Sequence, residues 1–349
     1  MPGRVLVTGI SGFIGGHVAL ALLNAGYEVR GSLRSFRRAD EVRVALKAAG
    51  GDTARLEFVE LDLLDDRGWD EALSGCRYLQ HVASPLAIRM PKDRDALIRP
   101  AVTGTRRAVD AALAAKVERI VITSSAAAIA YGHPPGRTEP FSEADWSATR
   151  GDGVSAYSES KTRAELEAWS MMEAVGRRDD LAVINPTVVL GPLLGPGPGV
   201  SATLVQRLLE GSVPFAPRLA FSIVDVRDVA ALHVIAMERP AAGGHRYVAT
   251  AGSLTLSQLA SVLRPAFPRF AGRLPRFEAP DWLVRIVALF HADLRASVGR
   301  LGRVSTFENG PAERLLGRSF ITPRVAATAT AQSLIDLELV TPPVAEKRG

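Results

Sequence analysis

The fold is decided by residues 4–16, RVLVTGISGFIGG, near the start of the chain. Three glycines at the spacing G-x-x-G-x-x-G directly follow an apolar run and open a segment with a helical pattern. Gly9 permits a turn with positive φ, Gly12 lets backbone N–H groups approach a ligand closely, and Gly15 lets the helix pack tightly on the strand. The stretch therefore predicts a loop that holds a diphosphate at a helix N-terminus, and hence a bound dinucleotide.

The alternation of strand and helix continues through the first half of the chain. Apolar runs predict strands at residues 4–8, 28–33, 56–61, 78–82, 120–124 and 181–185. Amphipathic segments predict helices at residues 13–25, 39–49, 69–73, 93–115 and 156–175. Such a pattern is typical of a parallel sheet covered on both faces. We therefore expect an α/β fold with a doubly wound parallel sheet, a Rossmann domain over residues 1–186 with a returning segment at about 221–248.

The sequence changes character after residue 186. Residues 191–199 are too rich in glycine and proline for regular structure and predict a loop. We expect residues 187–220 and 249–349 to form a smaller, mostly helical C-terminal lobe that binds substrate. An apolar stripe at helical spacing, predicted to face the core of this lobe, consists of Trp282, Leu283, Ile286, Val287 and Phe290.

The composition narrows the classes of function. The 42 basic and 37 acidic residues are spread along the chain and aromatic residues make up only 6%, so we expect no nucleic-acid partner. The single cysteine excludes an internal disulfide and favours a reducing compartment, the cytoplasm. The six histidines lie too far apart in sequence for a metal site, and no metal is expected. No apolar run approaches the roughly 18 residues of a membrane span, so we expect no membrane partner.

The end of the second predicted strand indicates which dinucleotide is bound. No acidic residue occurs from residue 29 to residue 39, although an acid there would bind free ribose hydroxyls. Arg34, Arg37 and Arg38 stand there instead, and arginine suits a 2′-phosphate. The sequence therefore favours NADP over NAD.

Two further segments predict acid–base chemistry. Tyr157 and Lys161 are four residues apart in a predicted helix, so both side chains lie on one face. An ammonium beside a phenol is expected to lower the phenol pKa towards the working range. The strand at 120–124 ends in Ser124 and Ser125, where such folds bind ligands, and a serine there could hydrogen-bond a substrate carbonyl.

These motifs together resemble the extended short-chain dehydrogenase/reductases, and more closely the dihydroflavonol-4-reductase-like aldehyde and ketone reductases. The motifs are TGISGFIG at residues 8–15, HVASP at 81–85, TSSA at 123–126, YSESK at 157–161, NPTVVLGP at 185–192 and DVRDV at 225–229. The chain departs from cinnamoyl-CoA reductases at residues 155–158, SAYS, where those enzymes have Asn-Trp-Tyr-Cys. The residues that usually follow TSSA in the flavonoid enzymes are also replaced here, by AAIAYG at 127–132, so a plant flavonoid substrate is not expected.

The resemblance implies roles for particular residues. It implies a catalytic triad of Ser125, Tyr157 and Lys161, with Tyr157 as proton donor. The residues implied to contact NADP are Thr8, Gly9, Ser11, Gly12, Phe13, Ile14, Gly15, Arg34, Arg38, Asp62, Leu63, Val82, Ala83, Ser84, Pro85, Thr123, Ser124, Tyr157, Lys161, Pro186 and Val188. The residues expected to contact substrate are Leu86, Ile129, Tyr131, Thr187 and Leu193.

The sequence leaves more than one function open. The first is an NADPH-dependent reductase that converts an aldehyde or ketone into an alcohol, with a small-molecule substrate and a monomeric or homodimeric enzyme. The second is an NAD-dependent isomerase on the same scaffold, such as a nucleotide-sugar epimerase or a hydroxysteroid dehydrogenase/isomerase. A non-catalytic NADP-binding regulator is disfavoured because binding alone needs neither Tyr157 nor Lys161.

Overall fold

The computed structural model describes residues 3–85, 93–134, 136–151, 153–197, 199–290, 295 and 297–343. Two compact units divide the chain. The first contains Met1–Thr187, Val226–Ala249 and Phe307–Ser319, and the second contains Val188–Asp225, Thr250–Thr306 and Phe320–Gly349. The first unit therefore holds most of the motifs that the sequence singles out.

A seven-stranded parallel sheet organises the first unit. Its strands are β1 (Arg4–Thr8), β2 (Glu28–Leu33), β3 (Leu56–Glu60), β4 (Cys76–His81), β5 (Arg119–Thr123), β6 (Leu181–Pro186) and β9 (Arg246–Ala249). The order β3-β2-β1-β4-β5-β6-β9 runs outward in both directions from β1 and β4. The predicted doubly wound Rossmann sheet is confirmed, and the carboxyl ends of all these strands lie at one edge.

Helices cover this sheet. They are α1 (Phe13–Asn24), α2 (Ala39–Ala48), α3 (Trp69–Leu73), α4 (Asp95–Ala114), α5 (Ala156–Ala174), α7 (Val226–Glu238) and α10 (Gly310–Leu316). Helices α4 and α5 pack against each other and share a core with one face of the sheet, centred on Leu79, Val109 and Met172. Helix α1 packs against α7. The helix bounds predicted from sequence differ from these by no more than two residues, because apolar periodicity marks buried faces directly.

The second unit has its own small sheet. Strands β7 (Val188–Leu190) and β8 (Ala220–Asp225) pair in parallel, and β10 (Ser253–Thr255) pairs antiparallel to β8. The helices here are α6 (Gly199–Glu210), α8 (Leu256–Ala266), α9 (Asp281–Ala288) and α11 (Pro323–Asp336).

The unit boundaries differ from the expected ones. The returning segment was expected to begin near residue 221, but β8 belongs to the second unit because it pairs there with β7 and β10. Only α7 and β9 return to the first unit, and residues 307–319 join it as well. Strand pairing, which these short runs do not encode locally, sets the boundary.

The apolar stripe of α9 was expected to face a core, and this prediction is wrong for most of it. Trp282 is 63% exposed, Ile286 49% and Phe290 81%. The buried residues of this helix are Val284 and Ala288. The apolar residues of α9 occupy most of its circumference apart from the side of Asp281 and Arg285, so periodicity alone could not say which part of that wide surface is covered.

Candidate active site

The glycine loop has the geometry that its spacing predicts. Gly9 adopts φ +71° after β1, a conformation that side chains rarely allow. The Gly12 N–H donates to the Gly9 carbonyl oxygen at 2.9 Å and closes the turn. A Cβ on Gly15 would stand 2.2 Å from that same carbonyl oxygen, so only glycine permits this contact between helix and loop.

The first turn of α1 suits a diphosphate. Gly12 stands at the N-cap with extended backbone, and no side chain caps the helix. The first turn also contains no acidic residue that would repel an anion. Gly12 is exposed, and Ser11, Phe13 and Ile14 are half-buried beside it. Uncapped N–H groups at a positive helix end are a fitting site for phosphate oxygens.

Thr8 joins the ends of two neighbouring strands. Its hydroxyl oxygen lies 3.0 Å from Nδ1 of His81 and accepts from the N–H groups of Val82, at 3.1 Å, and Ala83, at 3.0 Å. Thr8 is fully buried, so its side chain holds the backbone after β4 in place from the interior of the unit. Ala83 lies directly against Gly9, and Ser84 and Pro85 follow it as half-buried residues.

The basic turn after β2 contains arginines in two different situations. Arg34 is exposed, and among the described residues it makes no ion pair. The Arg38 guanidinium instead donates to both carboxylate oxygens of Glu41, at 2.7 and 3.1 Å. This pairing raises the Arg38 pKa and lowers the Glu41 pKa. Of the two arginines predicted to hold a 2′-phosphate, Arg34 is the one with an uncommitted charge.

The loop after β3 carries the two residues assigned to the adenine. Asp62 is exposed and accepts from the Leu64 N–H at 2.9 Å, which forms a tight turn. Leu63 is half-buried, and a Cβ on Gly104 of α4 would lie 3.1 Å from its own Cβ. Both residues follow β3, which is separated from β1 by β2, so they lie at the same edge of the sheet as the glycine loop.

Tyr157 and Ser125, two members of the predicted triad, stand at the starts of two helical segments of the first unit. Ser155 caps α5 by accepting from the Ser158 N–H, which starts the helix just before Tyr157. Ser125 caps a short 3₁₀ turn at residues 126–128 by accepting from the Ala127 N–H at 3.1 Å. Burial raises the Tyr157 pKa, and the nearby Ser125 side chain opposes this increase. The expected lowering of the phenol pKa by Lys161 is wrong, because desolvation dominates.

Lys161 lies at the carboxyl end of β5. Its ammonium donates to the Thr123 carbonyl oxygen at 3.5 Å, and its side chain is buried. Burial lowers the Lys161 pKa to about 8, and the nearby Glu165 carboxylate opposes this decrease. The positive charge of Lys161 also helps burial to lower the His81 pKa to about 3. The ammonium therefore lies near the ends of two central strands.

Two polar residues at the end of β5 are hydrogen-bonded to buried side chains of neighbouring helices. The Ser124 hydroxyl donates to Glu165 at 2.5 Å, and the Thr123 hydroxyl lies 2.8 Å from Nε2 of His233. Both side chains are buried, so they support the site from inside the unit. Sequence reasoning missed Glu165 and His233. For Glu165, the only local signal was its spacing of four residues, one helical turn, after Lys161.

The residues assigned to substrate are distributed unevenly. Ile129 is fully buried in a cluster with Phe141 and Val248, inside the unit and away from any surface. Tyr131 is half-buried, and Thr187 donates to the Ala249 carbonyl oxygen after the buried Pro186. Val188 and Leu193 belong to the second unit. Leu86 lies outside the described residues.

Two negative findings hold for the described part of the chain. No group of three His, Cys, Asp or Glu side chains is placed to hold a metal ion. Within the same residues, every helix is too short or too polar to span a bilayer.

Comparison with known proteins adds a family and several reductases. The model of the NAD dependent epimerase/dehydratase family matches residues 5–250. Cinnamoyl-CoA reductase 1 of Oryza sativa is 37% identical over 270 residues, 76% of each chain. Tetraketide alpha-pyrone reductase 2 of Arabidopsis thaliana is 33% identical over 277 residues, 76% of this chain and 83% of its own. The structure of yeast methylglyoxal/isovaleraldehyde reductase Gre2 with NADPH superposes with a TM-score of 0.75, at 26% identity over 96% of this chain and 99% of that one.

Proposed function

Because the chain belongs to the NAD-dependent epimerase/dehydratase family and is an NAD(P)-dependent oxidoreductase, we propose that it reduces an aldehyde or ketone with NADPH and that Tyr157 donates the proton. The observation that supports this best is the Ser125 side chain beside the Tyr157 phenol, where it opposes the rise of the phenol pKa, with Lys161 one turn further along α5. A proton donor, a hydroxyl and an ammonium then face the edge of the sheet that carries the glycine loop.

The dinucleotide is assigned to this edge. NADPH, when bound, supplies the hydride that reduces the carbonyl carbon. The uncapped first turn of α1 would hold its diphosphate, and Arg34 would pair with its 2′-phosphate. Arg38 would join only if it exchanged Glu41 for the phosphate. The remaining residues that the family resemblance assigns to it are Asp62, Leu63, Val82, Ala83, Ser84, Pro85 and Pro186 of the first unit and Val188 of the second.

Tyr157 suits the direction of reduction. Because burial raises its pKa, the phenol keeps its proton at neutral pH and can give it to the carbonyl oxygen as the alcohol forms. Ser125 would hydrogen-bond the same oxygen and stabilise its developing negative charge. Lys161, with a pKa of about 8, is mostly protonated at pH 7 and would hold ribose hydroxyls.

The substrate is proposed to be a small carbonyl compound with an aromatic or branched aliphatic body. The apolar or aromatic residues assigned to it, Leu86, Tyr131 and Leu193, suit such a body better than a phosphorylated sugar. The names of the relatives, which include reductases of cinnamoyl-CoA, methylglyoxal and isovaleraldehyde, support this class. A cytoplasmic monomer or homodimer agrees with the single, buried cysteine.

An isomerase that retains NAD is the second candidate, because the matching family model also covers epimerases. The absence of an acid in residues 29–39 argues against it, since a carboxylate would bind the ribose hydroxyls of NAD. An isomerase would also form product without net consumption of the cofactor.

The test is a panel of aldehydes and ketones assayed by NADPH absorbance, with NADH in parallel. Tyr157→Phe should lower turnover by about 10²- to 10⁴-fold, the usual contribution of a general acid, and leave the Kd for NADPH nearly unchanged. Tyr247→Phe is the matched control, because its hydroxyl hydrogen-bonds the Ala242 carbonyl inside the unit. A wild-type protein that oxidises NADPH with no member of the panel would overturn the function. Near-normal turnover by Tyr157→Phe would remove that residue from the acid role.

A further inference from the structure

A buried carboxylate that has no part in the proposed proton transfer lies behind the triad. Glu165 is 1% exposed. Its oxygens accept from the Ser124 hydroxyl at 2.5 Å, the Asn185 amide at 2.8 Å and the Arg246 Nε at 2.5 Å. The indole N–H of Trp169 adds a longer contact of 3.4 Å. Donors from β6, β9, α5 and the end of β5 therefore converge on one side chain.

Arg246, the ion-pair partner of Glu165, is also buried and hydrogen-bonded to the protein. It is 8% exposed, and its Nη1 donates to the carbonyl oxygens of Glu143, at 2.8 Å, and Asp145, at 2.7 Å. Its guanidinium also lies 3.7 Å from the centre of the Trp146 ring. An ion pair enclosed in this way gains little over apolar residues of the same size, so stability alone is a weak reason for its presence.

The hydrogen bonds of Glu165 lead to the triad. Ser124 is the residue before Ser125 in the chain. The Asn185 amide nitrogen that donates to Glu165 also donates to the Ser125 carbonyl oxygen, at 3.3 Å. The Ser124 side chain and, through Asn185, the Ser125 carbonyl are thus linked to one carboxylate, and the direction of the Ser125 hydroxyl depends on the backbone that they hold.

The charge of Glu165 acts on Lys161. The two residues are four positions apart on α5 and therefore lie on one face of the helix. His81, which faces Lys161 from β4, is neutral near pH 7 because its pKa is about 3. Tyr157, on the preceding turn of α5, is neutral there as well, since its pKa is raised. Glu165 is consequently the negative charge that keeps a proton on the buried ammonium.

We propose that Glu165, together with Arg246, is a positioning residue for the reaction: it fixes the backbone that aims Ser125 and it maintains the positive charge of Lys161. This inference rests on the proposed reductase function and adds to it a group that never touches substrate or cofactor. It assigns two effects to one side chain, and they can be separated by experiment.

The experiment compares Glu165→Gln with the wild type. Removing the negative charge should move the high-pH limb of kcat/KM to lower pH by about one unit, the usual effect of one neighbouring opposite charge. At pH 8 this corresponds to a loss of roughly fivefold, while KM at low pH stays near the wild-type value. Glu159→Gln is the matched control: Glu159 is on the same helix and is also paired with arginines, Arg94 and Arg163, but it makes no contact with Ser124 or Asn185.

A second measurement does not depend on turnover. The chain has only five lysines, so ¹³C NMR of lysine side chains can follow Lys161, whose signal is identified by its loss in Lys161→Met. In the wild type it should titrate near the expected value of about 8, and in Glu165→Gln at lower pH. If the wild type reduces no carbonyl compound, the proposed function fails, and the NMR titration still tests the effect of Glu165 on Lys161.

A variant that leaves Arg246 unpaired could fail to fold, so Glu165→Gln is also combined with Arg246→Met. The double variant removes both charges and should still titrate Lys161 at lower pH than the wild type. Ser124→Ala should lower kcat several-fold without moving the pH limb, since it removes one hydrogen bond and no charge. A Lys161 titration and a pH limb that match the wild type in both Glu165 variants would overturn the proposal, even if those variants were less thermostable.

Discussion

The glycine loop and the Glu165 cluster, which consists of Glu165, Ser124, Asn185 and Arg246, belong to the same unit and are built in opposite ways. The loop works through missing side chains: Gly12 is open to solvent, and Gly15 touches the Gly9 carbonyl where any Cβ would collide. The cluster works through buried charge, with Glu165 and Arg246 paired at 2.5 Å. The first comes from consecutive residues, whereas the second is assembled from distant ones. The difference shows that one active site can depend on local sterics and on long-range electrostatics at the same time.

The largest effect is expected within the loop, where two glycines have different reasons to be there. Gly15→Ala should abolish measurable NADPH binding, at least about 100-fold, and lower the melting temperature, because its Cβ would stand 2.2 Å from a backbone oxygen. Gly12→Ala should weaken NADPH yet leave the melting temperature near wild type, since its Cβ meets only the Gly9 carbonyl oxygen at 3.2 Å. Thermal melts and NADPH fluorescence titrations distinguish them. Equal losses of stability in both variants would contradict the distinction.

The two adjacent serines are expected to have different roles: Ser125 acts on the substrate, and Ser124 holds the Glu165 carboxylate. Ser125→Ala should lower kcat by about 100-fold, the usual cost of removing a donor to a developing oxyanion, and should lower the unfolding free energy by about 1 kcal/mol because the cap of the 3₁₀ turn is lost. Ser124→Ala should cost about 1–3 kcal/mol of stability, because it leaves part of the buried Glu165 carboxylate unsatisfied. Steady-state kinetics and urea unfolding report the two quantities. A greater loss of turnover in Ser124→Ala than in Ser125→Ala would reverse the assignment.

Buried histidines beneath the site should make stability depend on pH. Burial lowers the pKa of His233 from 6.5 to about 3, as it does for His81. The unfolded chain takes up these protons near pH 6.5 and the folded chain does not, so the stability is fully present above pH 6.5 and is lost as the pH falls towards 3. At a pH of about 5.5, each histidine should lower the free energy of unfolding by about 1 kcal/mol relative to its value at neutral pH.

Urea unfolding at two pH values measures that loss. His233→Gln should reduce the pH dependence by the share of one histidine, whereas His245→Gln, at an exposed position, should leave it unchanged. A pH dependence that is the same in His233→Gln as in the wild type would show that this group titrates normally.

The smallest effect is expected in the basic turn, where Arg34 and Arg38 are solvent-accessible. Arg34→Ala should raise the Kd for NADPH by about tenfold and leave that for NADH unchanged, since only NADPH has the 2′-phosphate. Arg38→Ala should raise the Kd for NADPH by a smaller factor, because the Arg38 guanidinium is already paired with Glu41. Equal weakening of NADPH and NADH by Arg34→Ala would place the 2′-phosphate elsewhere.

The fold was more predictable than the site. Helix and strand positions followed from apolar periodicity, and the loop conformation followed from glycines whose sterics are local. The pairing of β8 and the exposed face of α9 could not be predicted, because each depends on which partner covers an apolar surface. The pKa of Tyr157 was predicted in the wrong direction for a similar reason: burial, which sequence does not reveal, raises it.

By itself, the sequence determined the doubly wound sheet, the loop at Gly9 and the presence of Tyr157 and Lys161 on one helix face. Steric rules and helical spacing act over a few residues, so they are readable in the order of the chain. Only the tertiary structure decided that Glu165 meets Ser124, Asn185 and Arg246, and that burial governs the proton affinities of the tyrosine and the lysine. Desolvation and long-range pairing arise from surroundings that separate segments create together, and no single stretch of the chain contains them.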